Sequence, residues 1–188
     1  MEKEKAEPVP EAENDNTPCP PAEEKEEEKI KVRLLRTVVE NQDPSCKFGI
    51  MDQNNLVEMR TIRRFLRARD LDVDKAASML LKYLKWRQTF VPNGQISPSD
   101  VPNEIAQNKM FAQGFDKQGR PISVTLGARH FINKKGGVHE FKRFIVFGLD
   151  KLCARTPAGQ EKFVIIGDLQ GWGYANIDIR AYMGALSI

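Results

Sequence analysis

The stretch Lys162-Phe163-Val164-Ile165-Ile166-Gly167-Asp168-Leu169-Gln170-Gly171-Trp172-Gly173 decides how the rest of the chain is read. Four apolar residues run unbroken from Phe163 to Ile166, three of them β-branched, and Gly167 and Asp168 close the run. A run this short suits a strand better than a helix. Apolar side chains on both faces predict a strand buried in the middle of a sheet, with helices over each side.

Working outward, the flanking chain supplies such helices. Residues 138–155 place Val138, Phe141, Ile145, Leu149 and Leu152 at helical spacing, and Asn176 can cap a last helix that runs on through Tyr182 and Leu186. Upstream, residues 121–126 alternate Ile122, Val124 and Leu126 with Ser123 and Thr125, the pattern of a half-buried strand. Asp116-Lys117-Gln118-Gly119 is a turn signal that joins it to a strand over 110–115, so residues 110–126 read as a hairpin. Residues 127–137 are polar and glycine-bearing and read as a loop.

Before residue 108 the pattern is helical. Residues 29–42 place Ile30, Leu34, Leu35 and Val38 on one face, and Asp43-Pro44-Ser45 ends that helix. A second helix spans 55–69, with Met59, Ile62, Phe65 and Leu66 as its stripe. A third starts at Asp72, a good N-cap, and turns Val73, Ala77, Leu80, Leu81 and Leu84 inward. Ser97-Pro98-Ser99-Asp100 has the form of a cap opening a short helix. A helical bundle followed by an α/β layer is the predicted architecture.

Charge is unevenly spread. Residues 1–29 hold four Lys and eleven Asp or Glu, about −7, so the remainder of this +3 chain carries about +10. The acidic segment has five prolines and almost no large apolar residue, and reads as a disordered tail. It does not fit a secretory signal, and no run approaches a membrane span. Three widely spaced cysteines, Cys19, Cys46 and Cys153, suit free thiols in a reducing, cytoplasmic setting.

No catalytic constellation emerges. Gly171-Trp172-Gly173 could open a dinucleotide fingerprint, but Asn176 stands where its third glycine belongs. Asp168 closes a strand, where α/β proteins place functional groups; a turn-forming or capping role is the competing reading. His130 and His139 lack partners at metal-ligand spacing, and no metal or cofactor is expected. Arg60, Arg63, Arg64, Arg67 and Arg69 share one helix and could grip phosphates of lipid or nucleic acid, or form a solvated, ion-paired face. No aromatic interleaves with them to stack bases, so nucleic acid is not the expected partner.

Three stretches in order carry a resemblance. Ile62-Arg63-Arg64-Phe65-Leu66-Arg67-Ala68-Arg69, Asp72-Val73-Asp74-Lys75-Ala76 and Leu84-Lys85-Trp86-Arg87 are together similar to the helical N-terminal module of CRAL-TRIO proteins. Gly114-Phe115-Asp116 with Gly119-Arg120-Pro121 resembles the start of their lipid-binding domain. Ile166-Gly167-Asp168-Leu169-Gln170-Gly171 resembles its central strand and exit. Within the family, the likeness is to plant phosphatidylinositol-transfer-like members, and it runs from about residue 51 to the end.

The resemblance implies a helical lobe followed by an α/β lobe whose sheet floors an apolar lipid pocket, cut short here by C-terminal truncation within the lipid-binding domain. It divides the chain into an acidic tail (1–28), a helical lobe (29–105) and a partial lipid-binding domain (106–188). It implies non-catalytic binding and intermembrane transfer of a phosphatidylinositol-like phospholipid, impaired in so short a form. The alternative is an interaction or membrane-recruitment module that carries no lipid. Ser123, Thr125 and Asp168 are the polar candidates for the lipid. Arg60, Arg63 and Arg64 are the candidates for an anionic membrane surface, met peripherally by a cytoplasmic monomer.

Overall fold

The computed structural model describes residues 22–44, 55–131, 135 and 137–188. They form six α-helices and one three-stranded sheet: α1 (Ala22–Gln42), α2 (Asn55–Arg67), α3 (Val73–Phe90), α4 (Pro102–Ala106), β1 (Met110–Phe115), β2 (Pro121–Leu126), α5 (Gly137–Arg155), β3 (Val164–Asp168) and α6 (Ile179–Leu186). The chain divides into two compact units, Met1–Leu81 and Lys82–Ile188, the division falling inside α3.

In the first unit α1 packs along α2. Its buried face is Val32, Leu35 and Val39; α2 buries Ile62, Phe65 and Leu66, and α3 buries Ala76, Ala77 and Leu80. Two expectations are corrected here. Leu35 is core, but Ile30 and Leu34 are exposed and Val38 is half-buried, so the apolar stripe is displaced around the helix. The helix also begins at Ala22, seven residues inside the stretch read as tail. Residues 22–28 are Ala, Glu and Lys, which are strong helix formers. Their negative charge suits a helix N-terminus, and Lys31–Glu27 and Lys29–Glu26 pair along the helix. Glu28 receives Arg67 in a two-pronged contact, Nε to Oε1 at 2.9 Å and the second nitrogen to Oε2 at 3.0 Å. The remaining tail, 1–21, lies outside the described residues. Asp72 caps α3 as expected, accepting from the Lys75 N–H at 3.0 Å.

In the second unit β1 and β2 form the predicted hairpin. Asp116 shapes the turn: its carboxylate accepts from the backbone N–H groups of Gln118 and Arg120 and pairs with Arg120 Nε at 2.6 Å. Gly119 takes φ +74°, which a side chain would disfavour. The crossover through α5 brings β3 parallel to β2, giving the order β1-β2-β3. Val91, Ile96, Val101, Phe144 and Val146 form a core into which Trp86, Phe90 and Met110 pack, with Trp86 stacked on Phe90 at 5.3 Å.

The reading of 163–166 as buried on both faces is overturned. Among the described residues β3 pairs with β2 alone, and Ile165 and Ile166 are 57% and 47% exposed. Local pattern reports what a strand could bury. Neighbours on both sides must exist for it to do so. Leu149 is likewise exposed, while Phe144 and Val146 turn inward on α5. Asp178, not Asn176, caps the last helix, accepting from Ala181 N–H at 3.0 Å. Asn176 is buried and ties two segments: its Nδ2 donates to the carbonyls of Ala128 and His130, and its Oδ1 accepts from Gly173 N–H.

Candidate functional site

The register of the sheet sorts its side chains into two faces. Thr125 lies opposite Met110, and Ser123 lies opposite Ala112 on one side and Ile165 on the other. Directly paired residues share a face, so Met110, Ser123, Thr125 and Ile165 all look toward α5. Gly148 on α5 lets that helix come close: a Cβ built there would stand 2.0 Å from the Met110 methyl.

Between α5 and this face lies a cleft of about 120 Å³, lined by Met110, Ser123, Thr125, Ile145, Gly148, Leu149, Leu152 and Ile165. Its only hydroxyls are those of Ser123, which is buried, and Thr125, half-buried. An apolar slot with two convergent hydroxyls can hold a hydrocarbon group and fix one polar atom of the same molecule.

Asp168 does not join them. It stands at the exposed end of β3, and its Oδ1 accepts from the Gln170 N–H at 2.8 Å, the turn-forming role. Beyond it the chain folds back over Gly127, where an added Cβ would meet Trp172, Leu169 and the Asp168 carbonyl at 3.0–3.2 Å. Leu169, Trp172, Tyr174, Ile179, Met183 and Leu186 are all exposed, so this end of the unit presents apolar surface.

The basic trio lies in the first unit. Arg60 and Arg64 are exposed. Arg63 is half-buried, and its Nε is shut off from solvent without a hydrogen bond.

A buried polar cluster went unread in the sequence. Lys109 directs its ammonium at Glu104 Oε2 (2.5 Å), Gln107 Oε1 (2.9 Å) and His130 Nδ1 (2.7 Å), so all three protons find acceptors. The Phe141 and Phe144 rings lie within 5.3 Å of the same nitrogen. Burial lowers the proton affinity of Lys109, and Glu104 opposes that shift. Burial first, and the Lys109 charge second, hold His130 below its ordinary value. Glu140 of α5 accepts from Asn103 N–H, Asn103 Nδ2 and Glu104 N–H, tying α4 down beside the cluster. No spacing rule joins residues 104, 109, 130 and 140; only the fold does. Among the described residues no group of His, Cys, Asp and Glu could hold a metal ion, and no helix is long and apolar enough to cross a membrane.

Comparison with known proteins places these features. The CRAL/TRIO domain model matches residues 106–188, and the CRAL/TRIO N-terminal domain model matches residues 22–82. A phosphatidylinositol/phosphatidylcholine transfer protein of Arabidopsis thaliana is 29% identical over 136 residues, covering 63% of this chain and 21% of its own length. A CRAL-TRIO domain-containing protein of Schizosaccharomyces pombe is 31% identical over 105 residues, covering 56% and 10%. Protein real-time of Aedes aegypti is 35% identical over 75 residues, covering 38% and 11%. The chain therefore spans about a fifth or less of the length of these relatives.

Proposed function

Because the chain belongs to the CRAL-TRIO family, we propose that it binds a phospholipid of the phosphatidylinositol class without covalent chemistry and exchanges it at membranes. The observation that carries this reading is the cleft between α5 and the sheet, apolar but for Ser123 and Thr125. Several relatives named as phosphatidylinositol/phosphatidylcholine transfer proteins support the ligand class. In this reading the cleft takes part of an acyl chain and the two hydroxyls hold an ester or head-group oxygen. Asp168 stands at the rim of the sheet and contributes to the head group only through its outward oxygen. Arg60 and Arg64 attract the anionic, cytoplasmic leaflet of a membrane, giving peripheral contact.

Size limits what these 188 residues do by themselves. Sites for drug-sized molecules run to about 300–1,000 Å³, and this cleft is about 120 Å³. Acyl methylenes left outside it still touch water, each forfeiting about 0.8 kcal/mol of the transfer advantage. Transfer by these residues alone is therefore weak. The same small volume favours a second reading, in which the protein is recruited to a membrane or partner and carries no lipid.

Extraction of the purified protein followed by lipid mass spectrometry separates the two. Bound phosphatidylinositol, reduced by Ser123→Leu, supports the first; lipid-free protein that still sediments with anionic vesicles supports the second. A vesicle-to-vesicle transfer assay, run beside a dye that reports exposed apolar surface, tests the size argument. Efficient transfer with little dye binding would overturn it.

A further inference from the structure

Arg60, Arg64 and Arg67 follow one another at spacings of four and three, so they form one stripe along α2. Arg67, at the end of the stripe, is already taken. Glu28 of α1 holds it with both carboxylate oxygens, at 2.9 and 3.0 Å, and that carboxylate is largely enclosed. Arg60 and Arg64 are exposed beside it. All four residues lie within the first unit.

This clasp fixes where acidic residues are delivered. Glu28 lies two turns into α1, and Arg67 is the last residue of α2. The N-terminal turns of α1 therefore stand at the C-terminal end of the basic stripe, and residues 1–21 leave from there. They carry Glu2, Glu4, Glu7, Glu11, Glu13 and Asp15 against Lys3 and Lys5. The stripe from Arg67 back to Arg60 is about 10 Å long, and a segment of this length reaches several times as far.

We propose that residues 1–21 lie along this stripe and neutralise Arg60 and Arg64, continuing the contact that Glu28 makes with Arg67, and so restrain the protein from anionic membranes. The proposal rests on the reading of α2 as the membrane-facing helix. A side-chain carboxylate and a lipid phosphate compete for the same guanidinium, because both accept its forked donors. Tethering favours the carboxylates, whose encounter is intramolecular. A neutral surface offers nothing in exchange, whereas a surface rich in anionic lipid displaces the segment. Attachment then rises more steeply with anionic lipid than α2 without the segment would give. Exposed ion pairs add little to folding stability, so the contact acts on binding and leaves melting almost unchanged.

Co-sedimentation of the full chain with phosphatidylcholine vesicles holding a rising share of phosphatidylserine, at fixed salt, tests the restraint. Changing Glu2, Glu4, Glu7, Glu11 and Glu13 to Gln and Asp15 to Asn should raise the bound-to-free ratio on anionic vesicles by about threefold or more. The same change should not create binding to pure phosphatidylcholine. Adding Arg60→Glu and Arg64→Glu should abolish the gain. Carbodiimide coupling locates the segment. With Arg64→Lys, which keeps the charge and adds an amine, peptides joining position 64 to a carboxylate of residues 2–15 should form in monomeric protein. They should disappear at high salt or with excess anionic vesicles. If no coupling forms, any gain in binding comes from net charge alone and the proposal is overturned. Equal binding by the full chain and its neutralised form also overturns it; if both still need Arg60 and Arg64, the membrane reading of α2 stands. If neither form binds anionic vesicles, that reading fails as well.

Discussion

Lys109 and Glu104 form an ion pair with 2.5 Å between Nζ and Oε2 and with both side chains closed to solvent. A buried pair of this kind gains little over apolar packing, but breaking it strands a charge. Lys109→Met should cost about 3–5 kcal/mol of folding stability. The double change Lys109→Met with Glu104→Gln should cost clearly less than the sum of the single changes. A urea double-mutant cycle reads this directly, and strict additivity would show that the pair is not coupled.

His130 gives the fold a pH dependence whose sign follows from its neighbours. Its Nδ1 accepts from Lys109, and its Nε2 is buried without a partner. Protonation would set a second cation against Lys109 between the Phe141 and Tyr182 rings, with Glu104 and Asp178 opposing only part of the cost. The folded pKa is depressed, so the neutral ring's contribution is complete above the unfolded value of about 6.5 and is lost as pH falls below it. His130→Gln keeps an acceptor for Lys109 but does not titrate. Its unfolding free energy should therefore decline less steeply than wild type between neutral and mildly acid pH. Parallel slopes would dismiss His130 as the cause.

Arg87 holds Asp150 with two parallel contacts of 3.0 and 2.6 Å, joining α3 to α5 within the second unit. The pair is partly open to solvent, which limits its worth. Arg87→Lys keeps the charge and loses the fork, and should cost about 1 kcal/mol in denaturant unfolding. No change on that substitution would mean that charge alone matters there.

The basic helix α2 divides into surface and support. Arg60→Glu with Arg64→Glu should weaken co-sedimentation with anionic vesicles and flatten its salt dependence, leaving thermal unfolding within about 0.5 kcal/mol of wild type. Arg63→Glu should lower stability, because its guanidinium is partly shut in. Vesicle binding unaffected by the first pair would return α2 to the role of a solvated face.

Deletions should separate tail from helix. Removal of residues 1–21 leaves α1 and its ion pairs whole and should not change stability. Removal of residues 1–28 takes away the first two turns of α1 and the Glu28 carboxylate that receives Arg67, and should cost about 1–2 kcal/mol. Equal melting of the two truncations would show that residues 22–28 do not contribute to the folded unit.

Where local chemistry decides an element, the sequence was readable. Asp72 before an apolar-periodic run capped α3, and Asp116 through Gly119 turned the hairpin. The alternation at Ser123 and Thr125 correctly placed both hydroxyls on one face of β2. The start of α1 was missed because a polar, acidic composition was taken for disorder. Glu and Lys are also good helix formers, and Val32, Leu35 and Val39 give the helix a face to bury.

The amino-acid sequence by itself determined the order of helices and strands, the antiparallel hairpin and the family. These follow from periodicity, capping and turn residues acting over a few positions. Only the tertiary structure decided that Ile165 lines a cleft beside Ser123, that Asn176 is a buried tie rather than a cap, and that Lys109, Glu104 and His130 share one enclosed cluster. Burial and charge pairing depend on which distant residues arrive next to each other. Residues 104, 109, 130 and 165 carry no local mark of the company the fold gives them.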